Sequence, residues 1–306
     1  MPSVHITVAC KSDIGRVRSG NEDSFVVTDF RSGSRLEGAP GIVRLDVGPK
    51  GVLLLVSDGM GGEKAGEVAS ALVVQGFTHS MQNAAPGTPS DELLKRAATE
   101  AHDGVRLAAQ DEARKGMGAT LTAVHVIGSH AYIAEVGDSR AYLIRAGAIR
   151  QLTKDQSYAQ LLVDAGTLKP DEAETSPMSN LLAQAMGHTS AIRPALGKLE
   201  LHDRDCLLLC SDGLTKAVND EEILHTVLSS GTLDRACGDL VALANERGGL
   251  DNVTVVIAGV GGALPASTLG ERLSRSYEIL ETFAKPVLAP PSTGRSVKPA
   301  EVKMTR

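Results

Sequence analysis

The chain has 306 residues, with 31 Lys and Arg against 37 Asp and Glu (net charge −6), 42% hydrophobic and 22% charged residues. That length supplies one large domain or two small ones with a full core. The mild acidic balance argues against nucleic acid as the main partner and against wholesale disorder.

Aromatic residues make up 3% of the chain and Trp is absent, so the core must be built from Leu, Val, Ile and Ala. The four cysteines, at 10, 206, 210 and 237, lack metal-finger spacing and are expected as buried thiols in a reducing compartment. No apolar run is long enough to span a membrane, and Met1 to Lys11 is too polar for a signal peptide. The expectation is a cytoplasmic protein without membrane insertion.

In chain order, residues 4–9 predict a strand. Gly15 to Val27 then forms a turn-rich cluster in which Arg16 and Arg18 stand near Glu22 and Asp23. Such a cluster is either a solvated loop with weak surface ion pairs, or an arginine fork for a phosphate beside acids that hold metal-bound water. Residues 29–50, polar and Gly-rich, predict a connecting excursion. Val52 to Val56 is a run of apolar residues that predicts a strand buried on both faces, and it leads into Ser57-Asp58-Gly59-Met60-Gly61-Gly62. An ionised acid at a buried strand end needs a partner, and the glycines would let a metal or phosphate approach the backbone. Helices are expected over about 63–82 and 91–115 from their apolar stripes.

From Gly118 the texture changes to short β runs over 119–127, 131–136, 140–145 and 148–152, an antiparallel meander with Asp138 in one turn. Residues 153–190 predict short helices and loops, a candidate flap. Strands follow at 192–201 and 206–210, and Cys210-Ser211-Asp212-Gly213 repeats the strand-Ser-Asp-Gly arrangement. A capping box, Asn219 to Glu222, opens a helix that ends near Gly231, and another helix covers 233–247. Asp251 then opens the last strand, 253–260. Beyond residue 262, Leu269, Leu273, Tyr277 and Leu280 predict an amphipathic helix over about 267–283, a candidate partner-docking element. Residues 284–306, with five basic residues, one acid and four prolines, predict a disordered tail.

Asp58, Asp212 and Asp251 therefore stand at the ends of buried strands, with Asp138 in a hairpin and Glu22 and Asp23 beside arginines. Oxygen ligands without histidine suit Mg²⁺ or Mn²⁺. Clustered carboxylates repel one another unless cations neutralise them, and an Asp that bridges two ions would serve metal-assisted phosphoester hydrolysis, with Arg18 on the phosphoryl oxygens.

Six motifs together resemble the protein phosphatase 2C family, the metal-dependent serine/threonine phosphatases, in its bacterial form. They are Gly15-x-Val17-Arg18-x-x-Asn21-Glu22-Asp23, Ser57-Asp58-Gly59-Met60-Gly61-Gly62, Gly118-Ala119-Thr120-Leu121-Thr122, Gly137-Asp138-Ser139-Arg140, Cys210-Ser211-Asp212-Gly213-Leu214 and Asp251-Asn252-Val253-Thr254-Val255-Val256. They stand in family order and cover about residues 7–260. The resemblance implies an α+β fold, a four-layer α-β-β-α sandwich of two antiparallel sheets flanked by helices, with a catalytic domain over 1–262 and an extension over 263–306.

It further implies that Asp58 bridges two Mn²⁺ or Mg²⁺ ions, with the Gly59 carbonyl on one and Asp212 and Asp251 on the other. Asp138 with Asp212 would form a third metal site. Glu22 and Asp23 would hold metal-bound water, and Arg18 would contact the substrate phosphate. The implied activity is hydrolysis of phosphoserine and phosphothreonine in proteins by direct water attack, in opposition to a serine/threonine kinase. A phosphatase dedicated to one partner protein, or a binding module on the same fold, are the alternatives.

The chain departs from the pattern in four places. An arginine common after the flap is missing from Leu181 to Gly187, Leu250 stands where Pro is common, and Lys216 stands where an acidic or small residue is usual. Met60 takes the place of a histidine that protonates the leaving group in eukaryotic relatives.

Overall fold

The computed structural model describes residues 4–38, 41–61, 65–173, 176–267 and 276–283. Its central strand is β5, counted in the chain order β1 (His5–Asp13), β2 (Asp23–Asp29), β3 (Ser34–Leu36), β4 (Val43–Asp46) and β5 (Val52–Met60). Two helices follow, α1 (Ala65–Gln82) and α2 (Ser90–Ala108). The meander is β6 (Gly118–Ala119), β7 (Leu121–Ile127), β8 (His130–Val136), β9 (Arg140–Arg145) and β10 (Ala148–Gln151). Across the flap segment lie α3 (Tyr158–Asp164) and α4 (Pro170–Ala173), then β11 (Ala195–Glu200) and β12 (Cys206–Cys210). The chain continues through α5 (Asp212–Thr215), α6 (Asp220–Ser229), α7 (Leu233–Glu246), β13 (Val253–Gly261) and β14 (Tyr277–Glu281).

The strands form two antiparallel sheets. One has six strands in the order β10-β9-β12-β13-β1-β4; the other has eight, in the order β14-β11-β8-β7-β5-β2-β3 with β6 paired to the end of β5. Side chains alternate across a strand, and β5 uses both faces. Val52, Leu54 and Val56 enter the core between the sheets with Val8, Leu143, Leu207, Leu209 and Val256. Leu53 and Leu55 face α1 and α2, against Val73, Phe77, Leu94 and Ala97. On the other side Leu208, Val255 and Ile257 pack under α5, α6 and α7 through Leu214, Ile223 and Leu240. The result is the expected four-layer α-β-β-α sandwich, and the uninterrupted apolar run of β5 follows from burial on both faces. The expected capping box is present: Asn219 Oδ1 accepts from Glu222 N (3.0 Å) and Glu222 Oε2 from Asn219 N (3.2 Å). All four cysteines are free.

The helix expected over 267–283 is corrected by β14. Residues 277–281 are a strand on the edge of β11, where Tyr277 to Glu281 pair with residues 196–199. The helical stripe rested on Leu269, Leu273, Tyr277 and Leu280; Ile279 and Leu280 are exposed, and Leu269 and Leu273 lie outside the described residues. What fixes the segment is a strand register. Tyr277 lies over Gly197, where a side chain would collide with its ring, and its hydroxyl donates to the Leu152 carbonyl (2.6 Å). Lys95 Nζ donates to Glu281 (2.7 Å), and the pairing covers the open edge of β11. The boundary expected at residue 262 is therefore crossed, because this part of the extension completes the sandwich. The tail over 284–306 lies outside the described residues.

Candidate active site

Four aspartates reach one end of the sandwich from different chain segments. Asp58 comes from the end of β5, Asp138 from the turn between β8 and β9, Asp212 from the first residue of α5 after β12, and Asp251 from just before β13. With Arg18, Glu22, Gly59 and Lys216 they line a cleft of about 680 Å³, whose rim includes Asn180 and Leu182 of the flap segment. Asp23 is the cross-strand partner of Asp58 in β2.

Local geometry explains why these residue types recur. A side chain at Gly59 would overlap the Gly66 carbonyl, and the Gly59 amide donates to the Glu22 carbonyl (3.1 Å). Only glycine allows β5 to pass that close to α1 and still turn into the cleft. Gly137 has φ +108° and lies against Thr120, so the hairpin that presents Asp138 needs a residue without a Cβ. Thr120 secures both neighbours: its hydroxyl accepts from the Asp58 amide (2.9 Å) and bonds Ser139 Oγ (2.7 Å). Asn252 ties the arginine loop down. Its amide donates to the carbonyls of Ile14 and Gly20 (2.9 Å each), and its Oδ1 accepts from the Glu22 amide (2.8 Å).

The electrostatics are those of crowded acids, half-buried except for the buried Asp23. Burial first, then the charges of Asp23, Asp212, Asp138 and Asp251, hold Asp58 well above the usual carboxylate range. Burial and Asp212 do the same to Asp138, against the opposing Lys216 and Arg140. Burial raises Glu22 despite Arg18 nearby. Asp23 is pushed up to about 7 by burial, although its Oδ2 accepts from Ser211 Oγ and Thr254 Oγ1 (2.7 Å each).

Two cations meet this field. Arg18 forks onto Asp251, Nε to Oδ1 at 2.9 Å and Nη2 to Oδ2 at 3.0 Å. Lys216 pairs with Asp212.

The donor set fits a hard divalent cation. Among the described residues, Asp212 Oδ1, Asp23 Oδ1 and Glu22 Oε1 are buried without a hydrogen-bond partner, a costly state that a cation would relieve. No three His, Cys, Asp or Glu side chains among the described residues already close on a common point; the acids line a cleft, and Arg18 and Lys216 hold two of them.

Residues 42–245 match the family model described as Protein phosphatase 2C. The chain belongs to the protein phosphatase 2C family. It is 40% identical over 256 residues to the serine/threonine protein phosphatase PstP of Mycobacterium tuberculosis, across 82% of this chain and 44% of that protein, so it spans under half the length of that relative. Protein phosphatase PhpP of Streptococcus pneumoniae is 33% identical over 252 residues, with 82% of this chain and 96% of that protein covered. The Streptococcus agalactiae serine/threonine phosphatase superposes with a TM-score of 0.73 at 31% identity, over 83% of this chain and 98% of that one. The catalytic domain of PstP in complex with two manganese ions gives 0.70 at 35% identity, over 85% and 100%.

Seven of the eight site residues expected from sequence line the cleft, and Asp23 lies behind Asp58. Arg18, expected on a phosphate, is found on Asp251. Sequence reasoning assigned no role to Thr120, Ser139, Ser211, Asn252 or Thr254, although all five stand inside the quoted motifs. Their hydroxyls and amides are what fix the acids. In the segment that lacks the family's arginine, residues 184–187 are buried, with Met186 bonded through its backbone to Ala119 (2.8 Å) and Gln184 Nε2 donating to Gln156 Oε1 (2.7 Å). No helix among the described residues is long and apolar enough to cross a membrane.

Proposed function

We propose that this chain is a serine/threonine phosphoprotein phosphatase that works with two Mn²⁺ or Mg²⁺ ions and opposes a protein kinase. The observation that carries the reading is the meeting of Asp58, Asp138, Asp212 and Asp251 in one cleft with Arg18 at its mouth. The names of the relatives and the two manganese ions in the PstP catalytic domain support it.

Asp58, Gly59, Asp212 and Asp251 are the residues that would hold the two ions. When bound, the ions supply Lewis acidity: they polarise phosphoryl oxygens, lower the pKa of water and neutralise the carboxylates. Arg18, half-exposed at 49%, orients the phosphate by a planar fork. Glu22, which lines the cleft, and Asp23, beside Asp58 in the neighbouring strand, are the acids that would hold water bound to the ions. Met60 lines the cleft and carries no exchangeable proton, so its side chain is not the general acid.

The test is hydrolysis of a phosphothreonine peptide by wild type and Asp58→Asn, with Mn²⁺ and then with excess EDTA. Activity that requires both the metal and Asp58 is expected. A folded protein that binds Mn²⁺ but turns over no phosphopeptide would transfer the reading to the binding module.

A further inference from the structure

A second cavity, of about 350 Å³, opens between the flap segment and the edge of the eight-stranded sheet. That volume suits a small organic molecule. Its walls are mostly apolar: Ile133 comes from β8, Leu161 from α3, Leu196 from β11, and Leu152 follows β10. Ile279 of β14 and Phe283 close another side, so the extension beyond residue 262 builds part of the site.

Four carboxylates also line the cavity, Glu135, Asp155, Asp164 and Glu281, against one ammonium, that of Lys154. Three of these acids already have a cation. Arg140 forks onto Asp155 (2.8 and 2.7 Å), Lys154 Nζ donates to Asp164 (2.6 Å), and Lys95 Nζ donates to Glu281 (2.7 Å). Glu135 differs. It is 3% exposed, and among the described residues its oxygens accept from the Lys154 amide and from no cationic side chain.

We propose that this cavity binds a small organic amine, with its ammonium on Glu135 and its apolar body against Ile133, Leu152, Leu161 and Phe283. The inference stands apart from the phosphatase reading.

A carboxylate has about four lone-pair sites, so the Lys154 amide leaves room on Glu135 for an ammonium. The apolar walls supply affinity through burial, and the paired charges supply selectivity. An anion of the same shape would meet four carboxylates, and a neutral alcohol would gain the burial without the charge-assisted bond. Burial favours the neutral carboxyl of Glu135. An ammonium beside it favours the carboxylate, so the proton passes to solvent as the ion pair forms.

Gln156 joins this cavity to the cleft. Its side chain lines the cavity, Nε2 donates to the Glu135 carbonyl (3.2 Å), and Oε1 accepts from the amide of Gly137 (2.9 Å), the residue before Asp138. The Gly137 amide is thus a reporter of events at Glu135.

The test is titration of the full chain with hexylamine and 2-phenylethylamine, and with hexan-1-ol and hexanoate for comparison, read by calorimetry and by amide NMR. Both amines are expected to saturate one site at millimolar concentration or below, and to move the Gly137 resonance along the same curve. Hexan-1-ol should bind about tenfold more weakly, since a hydrogen bond to a charged group is the stronger one, and hexanoate should not bind. Glu135→Gln, which keeps the shape, should bring hexylamine down to the affinity of the alcohol. Ala195→Phe, which fills the cavity, should abolish both. Equal affinity for amine and alcohol, unchanged amine binding by Glu135→Gln, or no saturable binding of either amine would each overturn the site. Saturation that leaves Gly137 unmoved would overturn its link to the cleft.

Discussion

Arg18 and Asp251, 233 residues apart in the chain, meet through two parallel contacts of 2.9 and 3.0 Å at the mouth of the cleft. The fork geometry matches a carboxylate as it would a phosphate, and here Asp251 occupies it. The pair is partly exposed, at 49% and 22%, and an exposed pair contributes ~1 kcal/mol or less to stability.

Arg18→Ala is accordingly expected to leave the melting temperature nearly unchanged and to raise KM about tenfold, the equivalent of ~1.4 kcal/mol. Steady-state kinetics on a phosphothreonine peptide checks this. A large fall in kcat with KM constant would place Arg18 in the chemical step instead.

Asp58 and Asp23 face each other across the β5–β2 pairing, and Asp23 raises the cost of ionising Asp58. Asp58→Asn removes one of two adjacent acids while it keeps the shape. In EDTA the variant should be more stable than wild type, on the order of 1 kcal/mol; with excess Mn²⁺ the order should reverse, since wild type alone gains the full binding energy. Urea melts under both conditions decide it, and a variant less stable than wild type in EDTA would contradict the electrostatic account.

Much of this was legible because function and burial coincide. The runs of β5 and β12 are apolar on both faces and each ends in Ser-Asp-Gly, so strand, layer and acid could be read together. The β14 strand was not legible. Ile279 and Leu280 are exposed, and the segment is held by Tyr277 over Gly197 and by an open sheet edge, neither of which has a local signature. The links that Asn252 makes to Ile14 and Gly20, more than 230 residues away, are equally invisible in a pattern of hydrophobic periods. Lys216 was visible as an oddity, but its proximity to Asp251 depends on how α5 and β13 pack.

Glu135, which does not itself line the cleft, offers a pH test. It is buried in β8, its two oxygens accept from the Lys154 amide (3.1 and 3.0 Å), and burial holds it well above its usual 4.5. The folded state thus binds the proton more tightly than the unfolded chain. Its contribution is fully present below 4.5 and is lost as pH rises through the folded value. Glu135→Gln cannot titrate, so its stability relative to wild type should grow from acid to mildly alkaline pH. Urea melts across that range in EDTA check it; a constant difference would mean that Glu135 does not couple to folding.

Arg145 gives the largest expected loss. It is 1% exposed, and its guanidinium donates through Nε and Nη2 to both oxygens of Asp205, through Nη1 to Ser276 Oγ, and through Nη2 to the Glu200 carbonyl, all at 2.7 Å. Asp205 also accepts from the His202 amide (2.7 Å). One cation therefore joins β9, the turn before β12, the end of β11 and the segment that leads into β14. Arg145→Met would leave Asp205 buried and charged, at a cost of about 3–5 kcal/mol. The double variant Arg145→Met with Asp205→Leu removes both charges and should recover part of that loss, because replacing a buried pair by apolar side chains is often close to neutral. Denaturant melts of the three proteins give the coupling. If the double variant lost as much as the sum of the singles, the two side chains would be acting independently, and the pair would not be what holds β14 to the sheet.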